Sequence, residues 1–599
     1  MFLRLVPAAT MLLIAIITLA PRSGAATSTA SQDLAKLCDD YWQGFLETYP
    51  TYATSLGDKR YDDRLDDITP AGIAKETRRL ESVVARANAI VPGALSPGER
   101  LTRRALITEV ENQLAWISCK FWEWTVDPRT GPQVDFMNLP DYTIIDSPAD
   151  AASFVKRCQA MGPYFDDGIA NLRSGLAKGK AAPRDAVVAT IDQLDRLIAS
   201  PAESLALWKP VTVERKDWSP ADRERFAKDL RSAIQTALQP ALRRYREFLK
   251  TSVLPVARPP QKAGLAALPD GPECYRKMIR VHTSLDLTPE EIHKLGLEQV
   301  AIVRHDLAGL GQKVLGTSDV AEIQRRLRGS PEMFFKTADE VEAKAKETLA
   351  RAQAAVPAWF GIQPKARCEL KIMGMHEAPY STIAYYRGPS ADGKRPGYYM
   401  INTYLPETRP RYEAEALAFH ESVPGHHLQI AIAQELTGLP EFRKHLGVTA
   451  YVEGWALYTE RLADEMALYS SDTDRLGMLS FDAWRSCRLV VDTGIHAKGW
   501  SRQQAIEYMT QNTLLAPNNI VNEVDRYIGT PGQALAYKLG QLEILKLRDE
   551  AKRRLGQRFD IKAFHDAVLG NGAVSLPVLR EQVEAYIAGA EKGAAESAN

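Results

Sequence analysis

The segment AFHESVPGHHLQ, residues 418–429, contains a glutamate and three histidines within eight positions. His420 and Glu421 begin the pattern His-Glu-x-x-His, in which two imidazoles one helical turn apart hold zinc and the glutamate activates water. The fourth position after His420 is a proline, however, and the next histidines are His426 and His427. The segment therefore predicts a metal-binding helix with two additional residues between its histidine ligands.

A regular helix cannot bring these histidines together. At ~100° per residue, a position six residues later lies ~240° around the helix, and one seven residues later lies ~10 Å along its axis. Pro424 interrupts backbone hydrogen bonding and Gly425 accepts unusual dihedral angles, so we expect a bulge that absorbs the two extra residues. The bulge favours His426 as the second ligand. His427 is the alternative second ligand. If His426 is the ligand, we expect His427 to support a ligand or to contact the substrate.

The predicted helix TAYVEGWALYTERLADEM, residues 449–466, supplies carboxylates. Glu453, Glu460 and Asp464 fall on one face at spacings of seven and four, whereas the rest of the helix is largely apolar. Buried carboxylates need partners, and a zinc ion with its histidines is a suitable one. A catalytic zinc site has three protein ligands and one open position. We therefore predict Glu453 as the third ligand, with Glu460 orienting a ligand or taking the place of Glu453.

A further polar face lies within FDAWRSCRLVVDTGIHAKGW, residues 481–500. Arg485, Arg488, Asp492 and His496 recur there at offsets of three, four and four along an otherwise apolar helix. Such a face is either an internal ladder of salt bridges or a group that polarises a scissile carbonyl or holds a substrate carboxylate. On the second interpretation, Arg488 and His496 are predicted catalytic residues.

Two tyrosines lie downstream in DRYIGTPGQALAYKLG, residues 525–540. The phenol of Tyr527 or Tyr537 either stabilises an oxyanion during hydrolysis or packs within the protein. We include Tyr537 in the predicted catalytic set, together with Glu421 as the general base.

Helical periodicity recurs along most of the chain and predicts a mainly α fold. In the N-terminal half it covers residues 34–45, 72–90, 96–121, 150–177, 184–199 and 219–250. Three short β-type segments, residues 368–373, 382–388 and 397–403, are expected to form a small antiparallel sheet beside the metal-binding helix. The last of them is expected to bind the substrate backbone by strand addition.

Residues 253–272 carry five prolines without periodicity and form either a flexible linker or a crossing loop. They separate an N-terminal helical region, residues 27–252, from a predicted catalytic region, residues 273–599. Early in the latter, Thr288 followed by proline and Glu291 marks the start of a helix with a capping box.

The first 26 residues predict a secretory signal peptide cleaved near Ala26, and hence a periplasmic or secreted protein. Arg4 precedes an apolar run that is short for a membrane anchor, so we expect no stable membrane insertion after cleavage. The cleavage region contains no cysteine, so a lipid-anchored form is not indicated. Six cysteines elsewhere are compatible with up to three disulfides or with buried free thiols.

The charge balance argues against a nucleic-acid partner. Lysine plus arginine and aspartate plus glutamate number 75 each, so no electrostatic attraction to polyanions is expected. Hydrophobic residues make up 45% of the chain and charged residues 25%, which is typical of a globular protein. Nothing in the sequence indicates an oligomeric state.

The motifs HESVPGHHLQ, YVEGWALYTE, VDTGIH and PGQALAYKLG resemble the bacterial domain-of-unknown-function 885 family, whose members are regarded as candidate zinc metallopeptidases. The resemblance extends over almost the whole mature chain. More distantly, the site is similar to helical zinc peptidases of the thimet-oligopeptidase and Taq-carboxypeptidase type. That similarity implies His420, His426 and Glu453 as ligands and Glu421 as general base. It also implies a bilobed, zincin-like helical shell around a deep channel that admits short peptides.

Together these features predict an exported zinc metallopeptidase that hydrolyses short peptides. Zinc polarises water, Glu421 accepts its proton, and Arg488, His496 or a tyrosine stabilises the oxyanion. Two alternatives remain: a zinc hydrolase acting on a non-peptide or cell-wall amide, and a non-catalytic exported binding protein with a degenerate site.

Overall fold

The computed structural model describes residues 29–374, 378, 382–390 and 395–597 of the chain. The predicted signal peptide, residues 1–26, lies outside the described residues. Helices dominate the described part, as the periodicity predicts, and a three-stranded sheet accompanies them. The mainly α fold class is thus confirmed.

The helices before the proline-rich segment follow the predicted periodicity. They are α1 (Thr29–Thr48), α2 (Pro50–Ser55), α3 (Pro70–Ala89), α4 (Pro97–Cys119), α5 (Pro132–Asn138), α6 (Pro148–Ala177), α7 (Arg184–Ala199), α8 (Lys209–Thr212), α9 (Pro220–Ala233) and α10 (Gln239–Phe248). A π-helical segment, Ile234–Leu238, joins α9 to α10. Several of these helices begin with a serine or threonine that caps the first turn and a proline at the first helical position, as at Ser96 and Ser147.

The second half of the chain is also helical. It contains α11 (Gly271–Thr283), α12 (Pro289–Leu315), α13 (Val320–Gly329), α14 (Ala338–Trp359), α15 (Ala414–Glu421), α16 (His426–Glu435), α17 (Glu441–Lys444), α18 (Thr449–Glu465), α19 (Asp472–His496), α20 (Arg502–Asn512), α21 (Pro517–Gly529), α22 (Ala536–Leu555), α23 (Ile561–Leu569) and α24 (Leu576–Ser597). The predicted capping box of α12 is confirmed, because Thr288 and Glu291 each accept the other's backbone N–H.

The sheet differs from the predicted one in its pairing. Its strands are β1 (Cys368–Ile372), β2 (Ala384–Arg387) and β3 (Gly397–Ile401), in the order β1-β3-β2. β2 and β3 pair antiparallel, whereas β1 pairs parallel to β3, so the sheet is mixed. Because β3 has a partner on both sides, its backbone groups are already hydrogen-bonded. The prediction that this strand adds a substrate strand is therefore wrong.

Residues 253–272 form a packed crossing segment. Arg258 donates hydrogen bonds from its side chain to the carbonyls of Ala181 and Ala263, and the Leu265 N–H donates to His496. One hydrophobic core, within residues 126–253, lies before the segment or at its start. A second core joins the two halves of the chain, because α1, α3 and α4 pack with Phe442. This packing agrees with the crossing loop rather than with a flexible linker.

Helix α19 runs through the interior, with nearly every residue from Asp474 to His496 buried. Helices α12, α15, α20, α21 and α22 all contact it. Its polar face, with Arg485 and Arg488, is therefore enclosed by other helices instead of facing water. Buried charges of this kind need partners among the side chains of the neighbouring helices.

Candidate metal centre

The chain interrupts its helix between His420 and His426. α15 ends at Glu421 and α16 begins at His426. Between them, Ser422 and Gly425 leave the helical region with ψ angles of −116° and −127°. The two extra residues are thus absorbed by a break between two helices, where we expected a bulge within one helix.

Contacts from other elements hold this break in place. The indole N–H of Trp455, on α18, donates a 2.9 Å hydrogen bond to the Pro424 carbonyl. At Gly425 the backbone passes so close to the end of α15 that an added Cβ would lie 2.0 Å from the His420 carbonyl oxygen. A side chain at position 425 would therefore separate the two helix ends and move His426 away from His420.

The break brings two imidazoles and two carboxylates together. Ligand atoms of His420, Glu421 and His426 all lie within 4.8 Å of one another. From α18, Glu453 Oε2 lies 3.4 Å from His426 Nε2 and 3.7 Å from His420 Nε2. Four ligands at ~2.1 Å in a tetrahedron are about 3.4 Å apart. The two distances from Glu453 to the imidazole nitrogens are therefore close to the distance between ligands of one zinc ion.

Several buried polar atoms in this cluster have no hydrogen-bond partner among the described residues. They include Glu453 Oε2 and His426 Nδ1. A buried carboxylate oxygen without a donor is costly, and a cation bound between Glu453 and the imidazoles would remove that cost. The nitrogen and oxygen donors present are of the types that zinc binds. The residues fit a divalent metal ion of this kind.

Glu460 lies behind His420. The His420 Nδ1–H donates a 2.7 Å hydrogen bond to Glu460 Oε1, and the Nε2 atom on the other side of the ring faces Glu453. Histidine ligands of metals commonly carry such a second carboxylate, which fixes the tautomer and the ring orientation. The structure thus places Glu460 in the orienting position and Glu453 beside both imidazoles.

The charged groups of the cluster shift one another's pKa values. Burial opposes the charged imidazole, yet the neighbouring carboxylates of Glu453 and Glu460 raise the pKa of His420 to about 9. Burial also disfavours the Glu453 carboxylate, but His420 and His426 hold its pKa well below the usual range. Burial raises the pKa of Glu421, which has fewer compensating contacts. Together these groups form a compact cluster in which each charge affects the protonation of its neighbours.

His427 points away from the cluster. Its Nε2–H donates to the Ala366 carbonyl at 3.1 Å, and its Nδ1 accepts from the Tyr386 hydroxyl on β2 at 2.9 Å. Burial lowers its pKa to about 4, so the ring is neutral. The absence of a side chain at Gly397 makes room for this ring, because an added Cβ would lie 2.7 Å from His427 Nδ1. The structure therefore brings His426, and not His427, together with His420.

Of the predicted catalytic residues on later helices, Tyr537 and Arg488 lie beside the cluster. The Tyr537 ring is nearly parallel to that of His420, with centroids 6.3 Å apart. The guanidinium carbon of Arg488 lies 4.0 Å from the centroid of the Tyr537 ring. The two side chains thus extend the site from α15 toward α19 and α22.

His496 lies elsewhere, and its predicted catalytic role is wrong. Its Nε2–H donates to the Tyr527 carbonyl at 2.9 Å, and its Nδ1 accepts from the Leu265 N–H at 3.1 Å. With both ring nitrogens bonded to backbone, and with a pKa that burial lowers to about 3, it cannot donate to an oxyanion. His496 joins the crossing segment to α21. Asp492, on the same face, accepts a hydrogen bond from Tyr275.

Sequence reasoning missed the residues that position Tyr537. Its hydroxyl accepts hydrogen bonds from Arg526 Nη2 at 3.2 Å and Gln533 Nε2 at 3.4 Å, and Arg526 also pairs with Glu523. The sequence did contain a pattern that points to Arg526, because Glu523, Arg526 and Tyr527 occupy one face of α21 at helical spacing.

Comparison with known proteins assigns the chain to a family. A family model described as "Bacterial protein of unknown function (DUF885)" matches residues 50–583. The chain belongs to this family. No match was found among the curated proteins.

Two solved structures are similar to this DUF885 protein. A "putative lipoprotein" from Colwellia psychrerythraea is 26% identical, with a TM-score of 0.87 over 94% of this chain and 100% of that one. A "putative lipoprotein of unknown function" from Shewanella oneidensis is 20% identical, with a TM-score of 0.70 over 92% of this chain and 99% of that one, and shares the fold. Among the described helices, none combines the length and apolar character needed to cross a bilayer.

Proposed function

We propose that this DUF885 chain is an exported, zinc-dependent metallopeptidase that hydrolyses short peptides. One observation carries the proposal: a buried Glu453 oxygen without a hydrogen-bond donor lies 3.4 and 3.7 Å from two imidazole nitrogens. His420, His426 and Glu453 would hold the metal. Zinc bound there would supply Lewis-acid chemistry and lower the pKa of a water molecule to about 7.

Glu421 is the general base of this proposal. It ends α15 directly after His420 and belongs to the compact cluster, yet its side chain is only partly buried. Among the described residues, no hydrogen bond fixes its carboxylate, in contrast to Glu460, which accepts from His420. Glu421 is therefore free to accept a proton from water and to pass it to the leaving amine.

Tyr537 is the oxyanion donor of this proposal. Its hydroxyl accepts from Arg526 and Gln533, and within the described chain it donates to no acceptor. The phenolic hydrogen is thus available for the oxygen of a substrate carbonyl, and the two donors hold the phenol in place. Arg488 contacts the face of the same ring and fixes its position from α19.

The test compares Glu421→Gln with the unchanged protein, both loaded with zinc. We expect Glu421→Gln to retain zinc and to lose at least about 100-fold in kcat on a mixed peptide library, because a general base typically contributes 10²–10⁴-fold. Glu441→Gln, an exposed residue paired with Lys444, is the matched control and should keep full activity. Undiminished turnover by Glu421→Gln would contradict the role given to Glu421.

The same experiment separates the alternatives. A zinc-loaded protein that cleaves no peptide in the library but hydrolyses cell-wall amides would be a hydrolase of another substrate class. A protein that binds peptides and cleaves none would be an exported binding protein.

A further inference from the structure

Two buried arginines beside the metal centre have unused hydrogen-bond donors. Arg485 and Arg488, here called the arginine pair, lie one turn apart on α19 and are 4% and 1% exposed. Nε and Nη1 of Arg485, and Nε and Nη2 of Arg488, have no hydrogen-bond partner among the described residues. A guanidinium carries five N–H donors and remains charged in proteins. Several N–H donors of the arginine pair therefore have no acceptor among the described residues.

Two other buried arginines, Arg157 and Arg258, each have one nitrogen without a partner in the described chain, but their remaining donors are well used. Arg157 donates to the carbonyls of Arg64 and Tyr61, and Arg258 donates to three carbonyls of the crossing segment and its neighbour. For the arginine pair, the nearest carboxylate oxygens are those of Glu460 and Glu523, both at 3.9 Å. At that distance an ion pair does not satisfy the N–H groups.

Aromatic rings hold the arginine pair in place. The guanidinium carbon of Arg485 lies 3.8 Å from the Trp484 ring centroid and 4.5 Å from that of Phe481, and Arg488 lies 4.0 Å from that of Tyr537. Ring faces stabilise a cation but accept few hydrogen bonds from N–H groups in the guanidinium plane. The edges of both guanidinium groups therefore remain available for a planar anion, and a carboxylate is the best geometric match.

The arginine pair lies close to the reacting centre. Arg488 contacts the Tyr537 ring, and that ring faces His420 at 6.3 Å. Arg485 is 3.9 Å from Glu460, the carboxylate that His420 bonds. One aromatic side chain thus separates the arginine pair from the metal centre. Neighbouring Cα atoms of a peptide are about 3.8 Å apart, so a carboxylate one residue beyond a scissile carbonyl lies at a distance comparable with the 4.0 Å from Arg488 to the Tyr537 ring and the 6.3 Å from that ring to His420.

We infer that the arginine pair binds the terminal carboxylate of the substrate, so that the enzyme removes the C-terminal residue of short peptides. This inference rests on the proposed function and adds the substrate class. Hydrolysis of the last peptide bond adds one water, giving a shortened peptide acid and a free amino acid. An acidic side chain in the last residue offers the same carboxylate chemistry, and the experiment below separates the two sources.

Three probes test the inference. They are acetyl-alanyl-alanine with a free carboxylate, the same compound as its C-terminal amide, and acetyl-alanyl-glutamate amide, whose only carboxylate is on the side chain. For the unchanged zinc-loaded enzyme we expect kcat/KM on the free acid to exceed that on the amide by about 100-fold or more, because a desolvated charge pair is lost with the amide. Equal cleavage of acid and amide, or cleavage of internal bonds only, would overturn the inference and leave the proposed function standing. A preference for the glutamate amide would assign the arginine pair to a side-chain carboxylate and overturn it too.

Variants of the arginine pair complete the test. Arg485→Gln and Arg488→Gln should each lower the ratio of kcat/KM on the free acid to kcat/KM on the amide by about 100-fold, toward one. Arg488→Lys, which keeps the charge but loses the planar fork, should retain part of the preference. Arg475→Gln, in the first turn of the same helix, is the control and should behave like the unchanged enzyme. An equal loss on both substrates would show that the arginine pair only supports the fold.

A binding measurement gives a readout independent of hydrolysis. In the Glu421→Gln background, calorimetric titration with the free acid and with the amide should show at least about tenfold tighter binding of the acid. That difference should disappear when Arg488→Gln is added. If the unchanged enzyme cleaves no peptide, the proposed function fails. Equal binding of the acid and the amide in this assay is a separate result and would show that the arginine pair binds no terminal carboxylate.

Discussion

At the scale of single residues, the candidate centre depends on which imidazole nitrogens are already bonded. His427 and His496 are buried histidines with both nitrogens occupied by other groups. His420 has one nitrogen held by Glu460, and the other faces Glu453. A neutral imidazole has one donor and one acceptor nitrogen, so a donor bond at Nδ1 prepares Nε2 for a metal.

This arrangement predicts a specific role for Glu460. Glu460→Gln removes the carboxylate that holds the His420 Nδ1–H, so zinc affinity should fall by about 10–100-fold, the usual effect of losing such a partner. Competition with a fluorescent chelator would measure the affinity. Asp464→Asn, one turn further along α18 and paired with Arg475, is the matched control and should bind zinc normally. Unchanged affinity in Glu460→Gln would remove Glu460 from the centre.

At the scale of elements, the crossing of α18 and α22 positions two residues of the site at once. Gly454 and Gly540 meet at the crossing, where an added Cβ on Gly540 would lie 1.9 Å from the Ala450 carbonyl oxygen. Gly454 follows Glu453 directly, and Gly540 lies one turn after Tyr537. The close approach of these backbones therefore helps to bring both Glu453 and Tyr537 next to His420.

A side chain at this crossing should damage stability and site together. Gly540→Ala forces the helices apart, and overpacking of this kind costs about 1–3 kcal/mol in the free energy of unfolding. Because Glu453 and Tyr537 move with the helices, zinc affinity should fall as well. Urea unfolding and chelator competition measure the two effects.

Gly309→Ala is the control for the same substitution. Gly309 lies within α12, and an added Cβ there meets no atom within 4 Å. Replacing glycine by alanine inside a helix should stabilise the protein by up to about 1 kcal/mol. If Gly540→Ala behaves like Gly309→Ala, the crossing does not position the site.

At the scale of the whole molecule, the helical class could be predicted because it depends on local periodicity. Pairing between distant segments could not. The parallel pairing of β1 with β3 depends on a crossover that no local pattern indicates. Pro424 and Gly425 were enough to favour His426 over His427, but the break between two helices could not be predicted, because the Trp455 hydrogen bond to Pro424 joins residues 31 positions apart.

The polar face of α19 shows a second limit of sequence reasoning. Arg485 and His496 share a face of the helix, but eleven residues span about 16 Å along its axis. One end of that face therefore meets the Tyr537 ring, and the other end meets the crossing segment. The helical periodicity correctly predicted that Arg485 and His496 lie on one face of the helix. The further prediction that residues of this face belong to one catalytic site was wrong for His496.

The pairing of cysteines is another long-range feature that the sequence left open. Cys119 and Cys274 form a disulfide across 155 residues, and the four remaining cysteines are free and buried. Closing so long a loop typically contributes about 3–5 kcal/mol to the free energy of unfolding. The double variant Cys119→Ala/Cys274→Ala should therefore unfold at lower urea concentration than the oxidised protein. Six free thiols in the denatured, unreduced protein, where we expect four, would contradict this pairing.

The central claim is that a helix break carries His426 to the metal, and metal content tests it most directly. We expect about one zinc ion per chain in the purified protein, as for a catalytic zinc site. His426→Ala should lose this zinc, and His427→Ala should keep it, because the His427 ring is bonded to Ala366 and Tyr386. Zinc lost only with His427→Ala would contradict the ligand assignment, and no zinc in the unchanged protein, even after zinc is supplied, would contradict the metal centre itself.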